Sequence, residues 1–167
     1  DAQQKTAYGE VDVFNADVVN VIPPQQAGLL VRSLELTDDT GFCPVQPTTF
    51  ESTLVPKVHV VGDAAKADPM PKSAHAANAE GKVCAAALVS LLRGETPPDP
   101  HWVNTCYSLV DPSYGISVVG LYKIKDNAIY AIGGSGGISG EKISRTWEAT
   151  YAENWYKQIL QDSFAVG

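Results

Sequence analysis

The sequence has few cysteines and few basic residues. Three cysteines in 167 residues, with no CxxC pair, exclude a disulfide-rich scaffold and leave at least one thiol unpaired within the chain. Lys and Arg number 12 against 19 Asp and Glu, which gives a net charge of −7. Because nucleic-acid binding favours a basic face, this balance argues against a nucleic-acid partner.

Several recognisable segments and motifs are also absent. No apolar run is long enough to span a bilayer, and the start lacks the basic-then-apolar order of a signal peptide, so we expect a mature chain or part of a larger protein. No nucleophile elbow supports hydrolase chemistry, and no GxGxxG stands between a strand and a helix. The histidines have no metal-ligand spacing, so no metal site is expected; they are His59, His75 and His101.

The most informative stretch runs from Val58 to Gly94. Its valines predict a short strand that ends in Gly62-Asp63-Ala64, where small residues let the backbone approach a ligand. After a loop with two prolines, an alanine-rich pattern predicts a helix from Lys72 or Ser73, with Ser73 as a plausible N-cap and Gly94 as the stop. A helix start offers unpaired N–H groups, so this junction predicts a site for an anion or an electron-rich carbonyl.

The segments before this stretch predict less regular structure. They are a buried strand from Ala16 to Ile22 that Pro23-Pro24 stops, a short helix within Ala27 to Leu36, and extended chain from Phe42 to Thr49. A proline-rich run from Glu95 to Pro100 predicts a linker. We place a domain boundary there, with one unit at residues 1–96 and a second at 97–167.

The second unit has a sequence pattern typical of β-strands rather than of an alanine-rich helix. Alternating apolar and polar residues predict antiparallel strands at Trp102 to Val110, Tyr114 to Ile124 and Ala128 to Ile132. The glycine run at 133–137 lacks a helix after it and predicts a plain loop. Ser144 to Phe164 predicts an amphipathic helix whose aromatic stripe is typical of core packing. The fold class predicted is therefore α+β, with an α/β segment followed by a small antiparallel sheet and a C-terminal helix.

Three motifs carry a resemblance to a known family; they read NADVVNVIPPQQAG, MPKSAHAANAEGK and WVNTCYSLVDPSYGISV. Together they resemble the two-dinucleotide-domain flavoproteins that include the sulfide:quinone reductases, and above all the flavoprotein subunit of flavocytochrome c sulfide dehydrogenase. The resemblance covers nearly the whole chain and weakens in the first dozen residues and around Lys125 to Glu141. It implies that residues 1–96 are an incomplete C-terminal segment of an FAD-binding domain and that residues 97–167 cover the flavin.

The resemblance also implies roles for particular residues. Asp63 would hydrogen-bond the ribityl chain of FAD, and the helix start would face the pyrimidine end of the isoalloxazine. Cys106 would be half of a redox-active disulfide whose partner lies in the missing N-terminal half, and Trp155 would lie beside the flavin. The remaining cofactor-binding candidates that the resemblance implies lie in the Gly-Asp-Ala turn and at the start of the following helix; they are Gly62, Ala64, Pro71, Lys72, Ser73 and Ala74.

Plainer interpretations stay open for several of these residues. Cys106 alone is compatible with a buried unreactive thiol, Lys72 with a solvated lysine, and Trp155 with core packing. Cys84 reads as a small apolar residue, and the sequence does not decide whether it pairs with Cys43.

The implied function is oxidation of sulfide through FAD and the disulfide, with electrons passed to a c-type cytochrome subunit in the periplasm. Because the chain lacks the pyrophosphate-binding GxGxxG and a second redox cysteine, we expect it to be inactive alone and to bind FAD weakly or not at all. The alternative is a non-catalytic module that covers the flavin and docks a partner. In either case the surface that the missing half would cover favours self-association.

Overall fold

The structure, a computed structural model, describes residues 2–5, 11–14 and 17–164. Its first elements are short and lie before the long helix. They are the antiparallel pair β1 (Ala2–Lys5) and β2 (Val11–Phe14), helix α1 (Leu29–Ser33), and the parallel pair β3 (Cys43–Pro44) and β4 (Ala65–Lys66).

Two expectations for this region are wrong. Residues 17–22 are exposed and irregular rather than a buried strand, since valines there find no neighbouring strand; Ala16 lies outside the described residues. Val58 to Val61 does not form a strand either. It makes one isolated bridge, between His59 and Glu51, because the chain enters a 3-10 turn at Gly62–Ala64 before a ladder can extend.

The long helix α2 spans Ala74–Leu92 and confirms the sequence prediction. Ser73 is its N-cap, with extended backbone and a side-chain oxygen that accepts the N–H of Ala76. Gly94 ends it with a φ of +72°, a left-handed conformation that glycine adopts without steric cost. The face turned to the core carries small residues and one acid: Ala76, Glu80, Cys84 and Ala87.

The predicted antiparallel sheet is confirmed. Strands β5 (His101–Asp111), β6 (Tyr114–Lys125) and β7 (Ala128–Ala131) follow one another in order. The glycine run is not wholly a loop, because Gly137–Ile138 forms a short strand, β8, that pairs with Val118 and Val119 of β6. Among the described residues, β5 pairs with β6 alone, and helix α2 lies beside it.

Helix α3 spans Arg145–Phe164, as predicted, but its aromatic stripe is not core. Trp147 is 61% exposed and Tyr151 is 51% exposed, whereas the buried residues of the helix are Glu148, Ala149 and Ala152. The reason lies on the sheet, where Gly115 offers no side chain and lets the helix backbone approach β6 directly. The aromatic side chains are therefore left on the outer face.

One hydrophobic core contains residues from both sides of the predicted domain boundary. At its centre the rings of Phe50 and Trp102 meet edge to face, with centroids 6.2 Å apart, and both residues are almost fully buried. The α+β fold class is thus confirmed, and the boundary at residue 96 stays a prediction. No helix within the described ranges is long and apolar enough to cross a membrane.

Candidate functional site

One lysine fixes the conformation of the loop before α2 by hydrogen bonds to its backbone. Lys72 Nζ donates to the backbone oxygens of Asp63, at 2.9 Å, and Ala65, at 2.7 Å, and lies 4.0 Å from the ring centroid of Phe42. The ammonium therefore contacts main-chain oxygens and an aromatic face, although the residue is exposed, and the expected role of Lys72 beside a ring carbonyl stays a prediction. These contacts of Lys72, called the Lys72 clamp below, keep Asp63 close to the start of α2.

Glu80 supports the same turn from inside the protein. Its carboxylate, 3% exposed, accepts the backbone N–H of Gly62 at 2.6 Å, and Gly62 has a φ of +74°. Burial raises the pKa of Glu80 to about 7, while the hydrogen bond from Gly62 and the charge of Lys72 oppose that rise. A buried acid thus fixes the left-handed residue that turns the chain into Asp63.

A pocket of about 280 Å³ opens beside this turn. Asp63 is exposed, and Ala64, Phe42 and Lys72 line the pocket with it. The opposite wall comes from the segment Gln25 to Gly28. Three of the predicted residues, Asp63, Ala64 and Lys72, therefore share one concave surface, whereas Gly62, Pro71, Ser73 and Ala74 do not line it.

Cys106 is connected to the start of α2 through one buried amide. Ser73 Oγ donates to Asn104 Oδ1 at 2.5 Å, and Asn104 Nδ2 donates to Cys106 Sγ at 3.3 Å. Asn104 is 2% exposed, and Cys106 is partly buried. The structure thus brings the helix cap and the predicted redox thiol together, although 31 residues separate Ser73 from Asn104.

The other two cysteines are in different surroundings. Cys43 is fully buried in the core and Cys84 is 7% exposed on α2, and burial raises the pKa of both thiols. All three cysteines are free, so the Cys43–Cys84 pairing left open by the sequence does not form. Cys106 is therefore the most accessible thiol of the three.

Trp155 lies on the other side of β5 from Cys106. Its ring stacks on His75, with centroids 5.9 Å apart and planes 16° from parallel, and meets the ring of Tyr107 at 6.1 Å. Side chains of successive strand residues point to opposite faces, so Tyr107 and Cys106 face different sides of β5. Trp155 thus reaches the first turn of α2 through His75, and not the thiol directly.

Sequence reasoning missed two residues that organise this region, Asn104 and Glu80. Asn104 falls in the two-residue alternation of Trp102, Asn104 and Cys106, which places an amide on the face of the thiol, and this alternation was the available signal. Glu80 had no comparable signal, because an acid on an alanine-rich helix normally faces solvent. Among the described residues, no three His, Cys, Asp or Glu side chains cluster as metal ligands would.

Residues 98–164 match the family model described as "Flavocytochrome c sulphide dehydrogenase, flavin-binding". The match covers β5 to β8 and α3, and so includes Asn104, Cys106 and Trp155. It confirms, for this region, the resemblance that the sequence motifs carry. Residues 98–164 are therefore similar to the flavin-binding domain of the flavocytochrome c sulphide dehydrogenase family.

Proposed function

We propose that this chain is the C-terminal portion of an FAD-dependent sulfide dehydrogenase flavoprotein. In that protein sulfide is oxidised through a flavin and a redox-active disulfide, and the electrons pass to a c-type cytochrome subunit in the periplasm. The observation that carries the proposal is the connection of Cys106, through Asn104, to the capped start of α2. A thiol so placed is next to the helix terminus where the flavin motif of the sequence lies.

The residues around the loop fit the ribityl and ring end of a flavin. The exposed carboxylate of Asp63 is free to accept hydrogen bonds from hydroxyls, and the pocket wall of Ala64 and Phe42 is apolar enough for a flat ring. The start of α2, at Ser73 and Ala74, supplies partial positive charge for a ring carbonyl. When bound, the flavin supplies two-electron acceptor chemistry.

Cys106 would supply the sulfur chemistry. In the proposed step hydrosulfide attacks one sulfur of a disulfide formed by Cys106 and a cysteine of the N-terminal half. A persulfide forms on one cysteine, and the other leaves as a thiolate. Cys43 and Cys84 are too deeply buried to serve as that second cysteine, so it must come from outside this chain.

Reconstitution tests the proposal. The chain is combined with the N-terminal half of the flavoprotein, FAD and the cytochrome subunit, and sulfide-dependent cytochrome reduction is measured. We expect Cys106→Ser to reduce the rate to background, because the disulfide cannot form. Cys84→Ala is the matched control, since it removes a buried thiol on the same core and should leave the rate within about twofold. Activity that survives Cys106→Ser would rule out the redox role.

A second function is supported by the outer face of α3. Five large apolar side chains are exposed along this helix, and two of them, Trp147 and Tyr151, stack on each other. They favour a non-catalytic module that covers the flavin and docks a partner, or that self-associates when the chain is alone; they are Trp147, Tyr151, Tyr156, Leu160 and Phe164. Light scattering tests this second function, and a monomer at high protein concentration would contradict self-association.

A further inference from the structure

We propose that Asn104 is a positioning residue that holds the Cys106 sulfur and stabilises its thiolate by donating a hydrogen bond to it. This inference rests on the proposed function, because it assigns a task to Asn104 in the sulfur chemistry of Cys106. It concerns a residue that touches neither sulfide nor flavin in the proposal. Asn104 acts through the thiol.

The orientation of the Asn104 amide follows from its neighbours. Ser73 Oγ already accepts the N–H of Ala76, so the hydroxyl proton of Ser73 is directed to Asn104. The atom that receives this proton must be the amide oxygen, which leaves the amide nitrogen on the side of Cys106. The nitrogen has two protons to donate, and Cys106 Sγ lies 3.3 Å from it.

The donor matters more for the thiolate than for the thiol. A hydrogen bond from N–H to an anionic acceptor is roughly twice as strong as one to a neutral acceptor, so the Asn104 contact favours the charged form of the sulfur. Asn104 is 2% exposed, so its N–H is shielded from water, which would compete with the sulfur as an acceptor.

Alkylation of Cys106 tests the inference on this chain without flavin or partner. Iodoacetamide reacts with thiolates, and mass spectrometry of peptides separates Cys106 from the buried Cys43 and Cys84. Asn104→Asp keeps an oxygen for Ser73 and replaces the donor with an acceptor, and Asn104→Leu removes both bonds at similar volume. We expect both variants to alkylate Cys106 about tenfold more slowly at pH 7.

Unfolded protein separates the native contact from a local sequence effect. In urea, where the contact between Asn104 and Cys106 is absent, the wild type and each Asn104 variant should be alkylated at the same rate. Gly94→Ala is the matched control. It strains the left-handed C-terminal end of α2 and lowers the melting temperature but leaves Ser73 and Asn104 in place, so the alkylation rate should stay within about twofold.

Two results would overturn the inference. One is a Cys106 alkylation rate at pH 7 equal to or above that of the wild type in either Asn104 variant with native circular dichroism. The other is an equal slowing in Gly94→Ala, which would assign the effect to the lower stability of α2. Neither result depends on sulfide oxidation, so failure here is distinct from a sulfide-dependent rate that survives Cys106→Ser.

Discussion

Gly115 on β6 lies directly against the backbone of Ala149 on α3. A Cβ on Gly115 would be 2.5 Å from the backbone nitrogen of Ala149 and 2.7 Å from the carbonyl carbon of Glu148. Real Cβ atoms do not approach backbone this closely, and backbone within a helix has little freedom to move away. The attachment of α3 to the sheet therefore depends on the absence of a side chain at one position.

We expect Gly115→Ala to destabilise the protein by about 1–3 kcal/mol, because the added methyl group overpacks this contact. Urea unfolding followed by circular dichroism measures the loss. Gly133→Ala is the control, since no atom lies within 4 Å of a Cβ placed there and Gly133 is exposed. Equal stability of the two variants would show that α3 is not seated on β6 as described.

Glu80 should make stability depend on pH in the near-neutral range. Its pKa is about 7 in the folded protein against 4.5 for the ordinary side chain, so between these values the folded protein holds a proton that the unfolded chain has released. The free energy of unfolding therefore falls as pH rises from 4.5 to 7, by about 3 kcal/mol in total. Glu80→Gln retains an oxygen for Gly62 and should remove this contribution.

Urea unfolding at pH 5 and pH 8 provides the comparison. The wild type should lose more stability between the two values than Glu80→Gln does. Glu51→Gln serves as a control. Glu51 lies before α2 in the chain, and its side chain also accepts a backbone N–H, that of Lys57. Parallel curves for the wild type and Glu80→Gln would contradict the role of burial.

The stacked pair His75 and Trp155 should report on protonation at the start of α2. Burial lowers the pKa of His75 below 6.5, and the charge of Lys82 acts in the same direction. His75 thus stays neutral in the folded protein at a pH where the unfolded chain has gained a proton, so its contribution to stability is lost as pH falls below 6.5. The emission of Trp155 should change with a midpoint below pH 6.5.

Fluorescence titration measures this midpoint. The signal of Trp155 is obtained as the difference between the wild type and Trp155→Phe, since Trp102 and Trp147 also emit. His75→Gln should abolish the transition, because no protonation then occurs beside the indole. A midpoint above pH 6.5, or one that persists in His75→Gln, would contradict the assignment.

Lys72→Met should loosen the loop before α2. The substitution keeps the apolar stem but removes two hydrogen bonds, to the backbone oxygens of Asp63 and Ala65, and we expect a loss of about 1–3 kcal/mol. Lys82→Met is the matched control, because the Lys82 side chain is 64% exposed and, within the part of the chain that the structure describes, bonds only the carboxylate of Asp162. Equal urea midpoints for the two variants would show that the Lys72 clamp contributes nothing to the stability of the protein.

The sequence predicts the regular elements best where local signals agree. Ser73 and Gly94 mark the ends of α2 through capping chemistry, and alternation of apolar and polar residues marks β5 and β6. Prediction from the sequence fails where the structure of a segment depends on which residues pack against it. The pattern of α3 predicts a buried aromatic stripe, but Gly115 on β6 lets the small residues of the helix contact the sheet, so the aromatic side chains stay exposed.

The candidate site divides in the same way. Asp63, Ser73 and Cys106 were predicted as members of one site, and the structure brings them to one end of α2. That Asn104 bridges two of them and that Trp155 faces the other side of β5 were not readable, because both depend on how β5 is docked against the helices. Whether these residues bind a flavin stays a prediction.

Lys72 contacts main-chain oxygens and no carboxylate in this loop. Its two partners therefore persist whatever side chains occupy positions 63 and 65. Substitution at Asp63 would remove a carboxylate from the pocket without breaking the hydrogen bonds of Lys72. The conformation of the loop and the ligand preference of the pocket can therefore change independently during evolution.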